Sequence, residues 1–298
     1  MRGVLVLGLV WGSSVFLQRV AVSQIDPLTM VTLRLLAAFA FFVPFAPRIT
    51  RALISRKRVA LDVGVVGLLN PTATAILSAY ALQRASAGVV AVFNSLGPVI
   101  SAILATTFLH EQPLRREQFT GLAVAFAGVV MLIATGSTGL TAMGRAGLFG
   151  QGMALAVALL TALSAVYARW RLGATDSVAA AGGQIATSLL AVGLIRLVMG
   201  GPLRLGAVTY SGWLAVILSG AIGLSASFIL FMKMIARHGA TATLLAVYVM
   251  PVTAAVLGSL FLRETVTVPM ASGSLLVLAG VFLFTGWRHV RIRPGTRM

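Results

Sequence analysis

A chain of 298 residues that is 59% hydrophobic and only 10% charged is not a water-soluble domain, which carries about 25% charge. Its net charge of +17 would otherwise point to nucleic acid, but Lys and Arg sit in short segments between apolar runs of about 20 residues, where they orient a membrane chain. Cysteine is absent, which excludes a disulfide framework, a thiol nucleophile and a thiolate metal site.

Ten membrane helices are predicted: Gly3–Ser23, Pro27–Ala46, Ala60–Gln83, Ala87–Leu109, Glu117–Thr135, Leu148–Trp170, Asp176–Met199, Val208–Ala236, Ala240–Leu262 and Val268–Trp287. The first imitates a signal peptide, one Arg before an apolar run. The run continues into the amphipathic segment Gln18–Val22 with no small-x-small cleavage site, so it is read as an uncleaved span. It carries Trp11, Ser14 and Gln18 on one helical face. The second holds Arg34 inside an apolar run, where burying a cation costs several kcal/mol. The third carries Asn70, Thr74 and Ser78 in steps of four, with Pro71 beside them and Tyr80 near the far end. In the fourth, Asn94, Pro98 and Ser101 share a face next to Ser95; Tyr248 and Pro251 of the ninth repeat the logic of Ser95 and Pro98. Ser164 and Tyr167 of the sixth take the places of Trp11 and Ser14 if the halves are aligned 153 residues apart. The longest connections are the basic loop Pro47–Val59 and the Gly/Thr-rich loop Gly136–Gly147, which joins the two halves, 1–139 and 140–298.

Those halves read as a duplication. Pro98 and Pro251 lie 153 apart, as do Glu111 and Glu264, Gly67 and Gly220, Ala87 and Ala240, Leu104 and Leu257, and Phe108 and Phe261. Gly121 and Gly128 answer Gly273 and Gly280 one residue closer. Five helices per half is an odd number, so the second half must enter the membrane upside down. Inverted repeats of this kind place a substrate site near the midplane between the halves. With the N-terminus inside, sixteen Lys and Arg fall inside, against six outside (Arg19, Arg84, Arg145, Arg196, Arg204 and Arg263), so both termini are expected to be cytoplasmic. The excess of Arg over Lys, with abundant Ala and Gly, points to a GC-rich bacterial genome and so to a bacterial inner membrane.

The order of motifs carries a resemblance. Trp11-Gly12-Ser13 and Arg34-Leu35-Leu36-Ala37-Ala38 open the chain. Tyr80, Ala85-Ser86-Ala87, Pro98, Leu109-His110-Glu111 and a Gly-rich last helix follow, and much of that pattern returns in the second half. The chain resembles the EamA-type transporters of the drug/metabolite transporter superfamily over nearly its whole length. The resemblance implies a ten-helix exporter or facilitator of small metabolites working by alternating access. Amino acids are frequent cargo in that family, and the aromatic amino-acid exporter branch suits the aromatic residues here. A neighbouring branch exchanges phosphorylated or nucleotide sugars, which would call for several cations in the cavity, whereas only Arg34 is placed for that. A non-transport membrane scaffold is the alternative from another class.

The chemistry open to the chain is narrow. All six acids, Asp26, Asp62, Glu111, Glu117, Asp176 and Glu264, fall at predicted helix ends or in loops, which argues against a proton-coupled multidrug antiporter with a central Glu. His110, His238 and His289 have no metal spacing, no phosphate loop is present, and no cofactor is implied. Mid-membrane polarity is neutral. Its functional reading is a cavity in which Trp11, Ser14, Gln18, Asn70, Thr74, Ser78, Tyr80, Asn94, Ser95, Ser164, Tyr167 and Tyr248 replace water around a substrate. Its structural reading is interhelical hydrogen bonding, with aromatics as interfacial anchors. Arg34 either meets a substrate carboxylate or acts as a clamp. Pro71, Pro98 and Pro251 are hinges or static kinks. The glycine faces pack within a monomer or between the subunits of a homodimer.

Overall fold

The computed structural model describes residues 2–54, 56–108, 116–135, 144–199, 208–264 and 267–285. These residues are helical throughout, without a strand, and the helices form ten rods. We number them α1 (Arg2–Val22), α2 (Pro27–Ile54), α3 (Lys57–Arg84), α4 (Ala87–Phe108), α5 (Arg116–Ala134), α6 (Gly144–Leu172), α7 (Ser177–Met199), α8 (Tyr210–His238), α9 (240–262) and α10 (Val268–Thr285). Seven rods are long and apolar enough to cross a membrane, and shorter apolar stretches occupy the other three. Leu190, Leu197, Phe149, Phe126 and Phe261 stand outward and exposed, a surface suited to lipid.

Turn chemistry sets several helix starts. Asp26 caps α2 by accepting from Thr29 N–H at 2.9 Å, with Pro27 in the first turn. Asp176 caps α7 through Ala179 N–H at 3.0 Å, and Thr209 caps α8 through Gly212 N–H at 3.4 Å. The predicted starts at Asp176 and Val208 are therefore corrected, since both lie ahead of the first helical residue. The predicted basic loop Pro47–Val59 is also corrected: Ala46–Ile54 is helical and α3 begins at Lys57. Ile49 and Leu53 of this short helix, four apart, pack on Gly182 and Gly183 of α7. Glu111, Leu109 and the loop 136–143 lie outside the described residues.

The halves repeat in three dimensions. Leu68–Ala73 of α3 and Ala221–Ala226 of α8 both break the regular helix, 153 apart (221 − 68): the first is a kink with extended backbone at Asn70 (φ −147, ψ 114), the second a widened π turn. Pro71 has no N–H for the carbonyl of Gly67, and the hydroxyls of Thr72 (2.7 Å) and Ser188 (2.9 Å) donate to it instead. Ser225, at the place of Thr72, donates to Gly220 O at 3.2 Å. Gly67 touches α7 at Gln184 and Thr187, and Gly220 touches α2 at Arg34 and Ala37. These last pairs differ by 150 (184 − 34, 187 − 37), as do the caps Asp26 and Asp176. The register is therefore 150 in the first two helices of each half and 153 in the third and fourth. The second half gains its three residues between α7 and α8.

Counterpart rods that touch run antiparallel. Across α2 and α7, Arg48 pairs with Asp176 while Phe42 meets Gly182. Across α4 and α9, Ala87 N–H reaches Glu264 while Gly88 meets Ala255. Across α5 and α10, Gly121 meets Gly280 and Gly128 meets Gly273. The other contacts map onto one another when the halves are exchanged: α1 packs on α8 and α9, and α6 packs on α3 and α4. Exchange with reversal is the geometry of an inverted repeat. It also places the glycine faces, which pack on each other inside one chain.

Candidate functional site

Where the halves meet, a cavity of about 110 Å³ lies among α1, α2, α3, α4, α6, α8 and α9. From the first half, Trp11, Ser14, Gln18, Arg34, Asn70, Pro71, Thr74, Ser78 and Asn94 line it. The second half contributes Thr161 from α6, Leu224 and Phe228 from α8, and Leu244, Val247 and Met250 from α9. The lining is therefore lopsided: polar groups come from the first half except for Thr161, apolar ones mostly from the second.

Arg34 dominates the polar side. It is 7% exposed and is held by neutral groups: Gln18 Oε1 at 3.1 Å, Ser14 Oγ at 3.4 Å and Ser219 O at 3.3 Å. Gln18 is fixed in turn, its Nε2 donating to Ser14 O at 3.1 Å. Among the described residues no carboxylate lines the cavity. Opposite, Trp11 donates from Nε1 to Ser227 Oγ at 3.1 Å and sits edge-on to Phe231, 5.2 Å between centroids. Thr74 donates to Asn70 Oδ1 at 2.9 Å, and the Asn94 carbonyl oxygen is buried with no partner among the described residues. Such an acceptor facing a cavity is open to a donor on a bound molecule.

Five aromatic and hydroxyl residues that the sequence places in the cavity are not among its lining residues. Tyr167 bonds Asp62 Oδ1 at 2.8 Å, in a cluster completed by Arg171 at 3.2 Å that ties α6 to α3. Tyr80 lies beneath the Arg84 guanidinium, 5.8 Å from the ring centroid. Ser95 donates to Val92 O at 2.6 Å inside the break between the two segments of α4. Ser164 bonds back to Thr161 O at 2.9 Å. Tyr248 ends the 3-10 turn Leu245–Tyr248. Pro98 and Pro251 occupy first turns after the breaks in α4 and α9, while Pro71 lies in the kink of α3 on the cavity wall. Thr161 was missed because the register in α6 is 150: the counterpart of Trp11 is Thr161, and that of Ser14 is Ser164.

The ends of the rods are tied by ions. At the basic end, where Arg48, Arg169, Arg171, Lys233 and Arg237 gather, Arg169 donates to Ala236 O at 2.9 Å. At the opposite end Arg263 adopts left-handed backbone (φ 52), which turns the chain so that Glu264 N–H bonds Gly258 O at 3.2 Å. The Glu264 carboxylate then accepts from Arg19 Nε at 3.3 Å and from Ala87 N–H at 3.2 Å, joining α1, α4 and α9. Burial raises the Glu264 carboxyl above the usual glutamate range, against the pull of Ala87 N–H and Arg19. With the folded value above the unfolded one, its contribution is fully present below the unfolded pKa and is lost as pH rises through the folded pKa. Melting curves across pH 4–7 should show the wild type gaining stability on acidification relative to Glu264→Gln. Parallel curves would remove Glu264 as the source.

A helical membrane fold of two reversed halves around a polar cavity is the construction of a membrane transporter. The sequence model of the EamA-like transporter family matches residues 3–134 and 148–286, and the chain belongs to that family, within the drug/metabolite transporter superfamily. A WAT1-related chloroplastic protein of Arabidopsis thaliana is 23% identical over 278 residues, which cover 92% of this chain and 66% of that protein. One solved crystal structure superposes with a TM-score of 0.64 at 18% identity, covering 96% of this chain and 97% of the other, a likeness of fold.

Proposed function

We propose that this transporter carries small carboxylate-bearing metabolites, foremost neutral and aromatic amino acids, by alternating access through the central cavity. The observation that carries the reading is Arg34, a buried guanidinium bonded only to neutral groups and lining a cavity with no described carboxylate. A substrate carboxylate supplies the missing charge, and Asn94 Oδ1 accepts from its ammonium group. Trp11 and Phe228 pack against its side chain. The cavity is small, so a substrate of this size enters as the halves part, with the breaks at Pro71, Pro98 and Pro251 as hinges. Two five-helix repeats, 1–139 and 140–298, with both termini cytoplasmic in a bacterial inner membrane, complete the proposal, for a monomer or a homodimer. The contact symmetry and the two stretches matched by the family support the repeats, and the basic end supports the orientation.

The test is uptake of labelled amino acids into proteoliposomes, with and without a pH gradient, against a cationic dye. Saturable aromatic amino-acid flux indifferent to the gradient is expected. Gradient-driven dye movement without amino-acid flux would overturn the reading, and flux of phosphorylated sugars alone would replace it with an exchanger.

A further inference from the structure

We propose that Gly97 sets the size of the side-chain subsite in the central cavity, with the substrate's side chain lying between the middle of α4 and the facing part of α9. This role rests on the amino-acid reading above and adds to it the residue that selects among amino acids.

Gly97 is buried and lines the cavity just after the break in α4. A Cβ there would meet nothing nearer than Leu244 Cδ1, at 4.0 Å. Other buried glycines serve close packing: at Gly8, Gly12, Gly67 and Gly88 a Cβ would come within 3.2 Å of a neighbouring helix. Gly223, also on the cavity wall, is closed by Ser14. At Gly97 the missing side chain leaves open space instead, and because Gly97 lines the cavity, that space belongs to the cavity. The backbone does not ask for glycine either, since Gly97 is helical and has no positive φ.

The walls facing that space are apolar. Leu244, Val247 and Met250, at intervals of three on α9, join Trp11 and Phe228 in the cavity lining. The charged anchor belongs to other helices: Arg34 of α2 is held by Ser14 and Gln18 of α1 and by Ser219 of α8. Asn94, the acceptor for the ammonium group, precedes Gly97 by three residues. A molecule held by its carboxylate at Arg34 and its ammonium at Asn94 runs its side chain past Gly97 towards Leu244. A methyl group at Gly97 occupies that path and penalises a large side chain more than a small one.

The experiment follows labelled phenylalanine and alanine entering proteoliposomes that hold the purified full chain, each below saturation, and reads the ratio of the two rates. One methylene of misfit in an apolar pocket discriminates about tenfold or more, so Gly97→Ala should lower the phenylalanine-to-alanine ratio about tenfold, and Gly97→Val should lower it further. Gly193→Ala replaces a helical glycine outside the cavity and should leave the ratio unchanged. Equal loss of both substrates in Gly97→Ala would assign Gly97 to the bending of α4 beside Pro98 and overturn the subsite. An unchanged ratio would overturn it as well, and so would a Gly97→Ala chain that does not fold, because the space would then not exist. Each of these outcomes leaves the wild-type flux standing. Absence of saturable flux of either amino acid in the wild type would instead sink the amino-acid reading, and the subsite with it.

Discussion

Replacing Arg34 by glutamine is expected to lower carboxylate-substrate flux in proteoliposomes at least 100-fold, the largest effect of any single change to the cavity. The neutral partners of Arg34 fix its orientation without neutralising it: an amide, a hydroxyl and a backbone carbonyl hold the guanidinium while its charge stays uncompensated. Truncating one side of a buried charge pair costs about 2–5 kcal/mol, and at 1.4 kcal/mol per decade the midrange is two to three decades. Glutamine keeps some of the hydrogen bonding to Ser14 and Gln18, so the loss reports charge. Arg34→Lys restores charge but not the fork and should recover part of the rate. Because Arg34 also links α1, α2 and α8, a drop in total flux could reflect a loosened fold. The decisive readout is the ratio between an amino acid and its amide, which the wild type should favour as the acid and the glutamine variant should not. A variant that is folded and keeps the parental ratio would make Arg34 a clamp and return the substrate class to an open question.

How far the sequence discloses this site depends on which part is read. The polar stripe Asn70, Thr74 and Ser78 is legible from its steps of four: Thr74 and Ser78 share a helical face, Asn70 joins them from the kink just before it, and all three line the cavity. Trp11, Ser14 and Gln18 are legible for the same reason. The tyrosines are not, because a phenol near a span end serves an ion cluster as readily as a cavity, and Tyr167 lies with Asp62 and Arg171. The duplication is legible in the third and fourth helices, where Gly67, Pro98 and their partners hold one register. It is hidden in the first two, where a three-residue shift, nearly one helical turn, is masked by interchangeable apolar residues. The contacts of Gly67 and Gly220 expose it, together with the matching caps Asp26 and Asp176. The kink of α3 is signalled only by Pro71, and the π turn Ala221–Ala226 has no proline at all. The short helix Ala46–Ile54 was within reach, since Ile49 and Leu53 four apart oppose Arg48 and Arg51, but the density of Arg reads as a solvated loop.

The second large effect is expected at the crossing of α5 and α10. In a bilayer, lipid tails are as apolar as side chains, so close packing rather than hydrophobic transfer holds helices together. Here the approach is backbone on backbone. A Cβ on Gly128 would meet Val277 N at 2.6 Å and Gly273 O at 2.7 Å, and one on Gly280 would meet Gly121 O at 2.6 Å. Main-chain atoms on a facing helix cannot rotate aside as a side-chain tip does, so the rods must separate. Gly280→Ala should cost about 1–3 kcal/mol as an overpacking change, and Gly280→Leu should leave little folded protein. Gly193 in α7 supplies the contrast, because nothing lies within 4 Å of a Cβ there. Gly193→Ala removes a helix-interior glycine and should be neutral or stabilising by about 0.5–1 kcal/mol. Thermal unfolding of the three variants in one detergent tests the order. Because the glycine faces meet within one chain, mass measured by light scattering should stay unchanged in Gly280→Ala while its midpoint falls. A changed mass at an unchanged midpoint would mean that the same glycines pack between subunits.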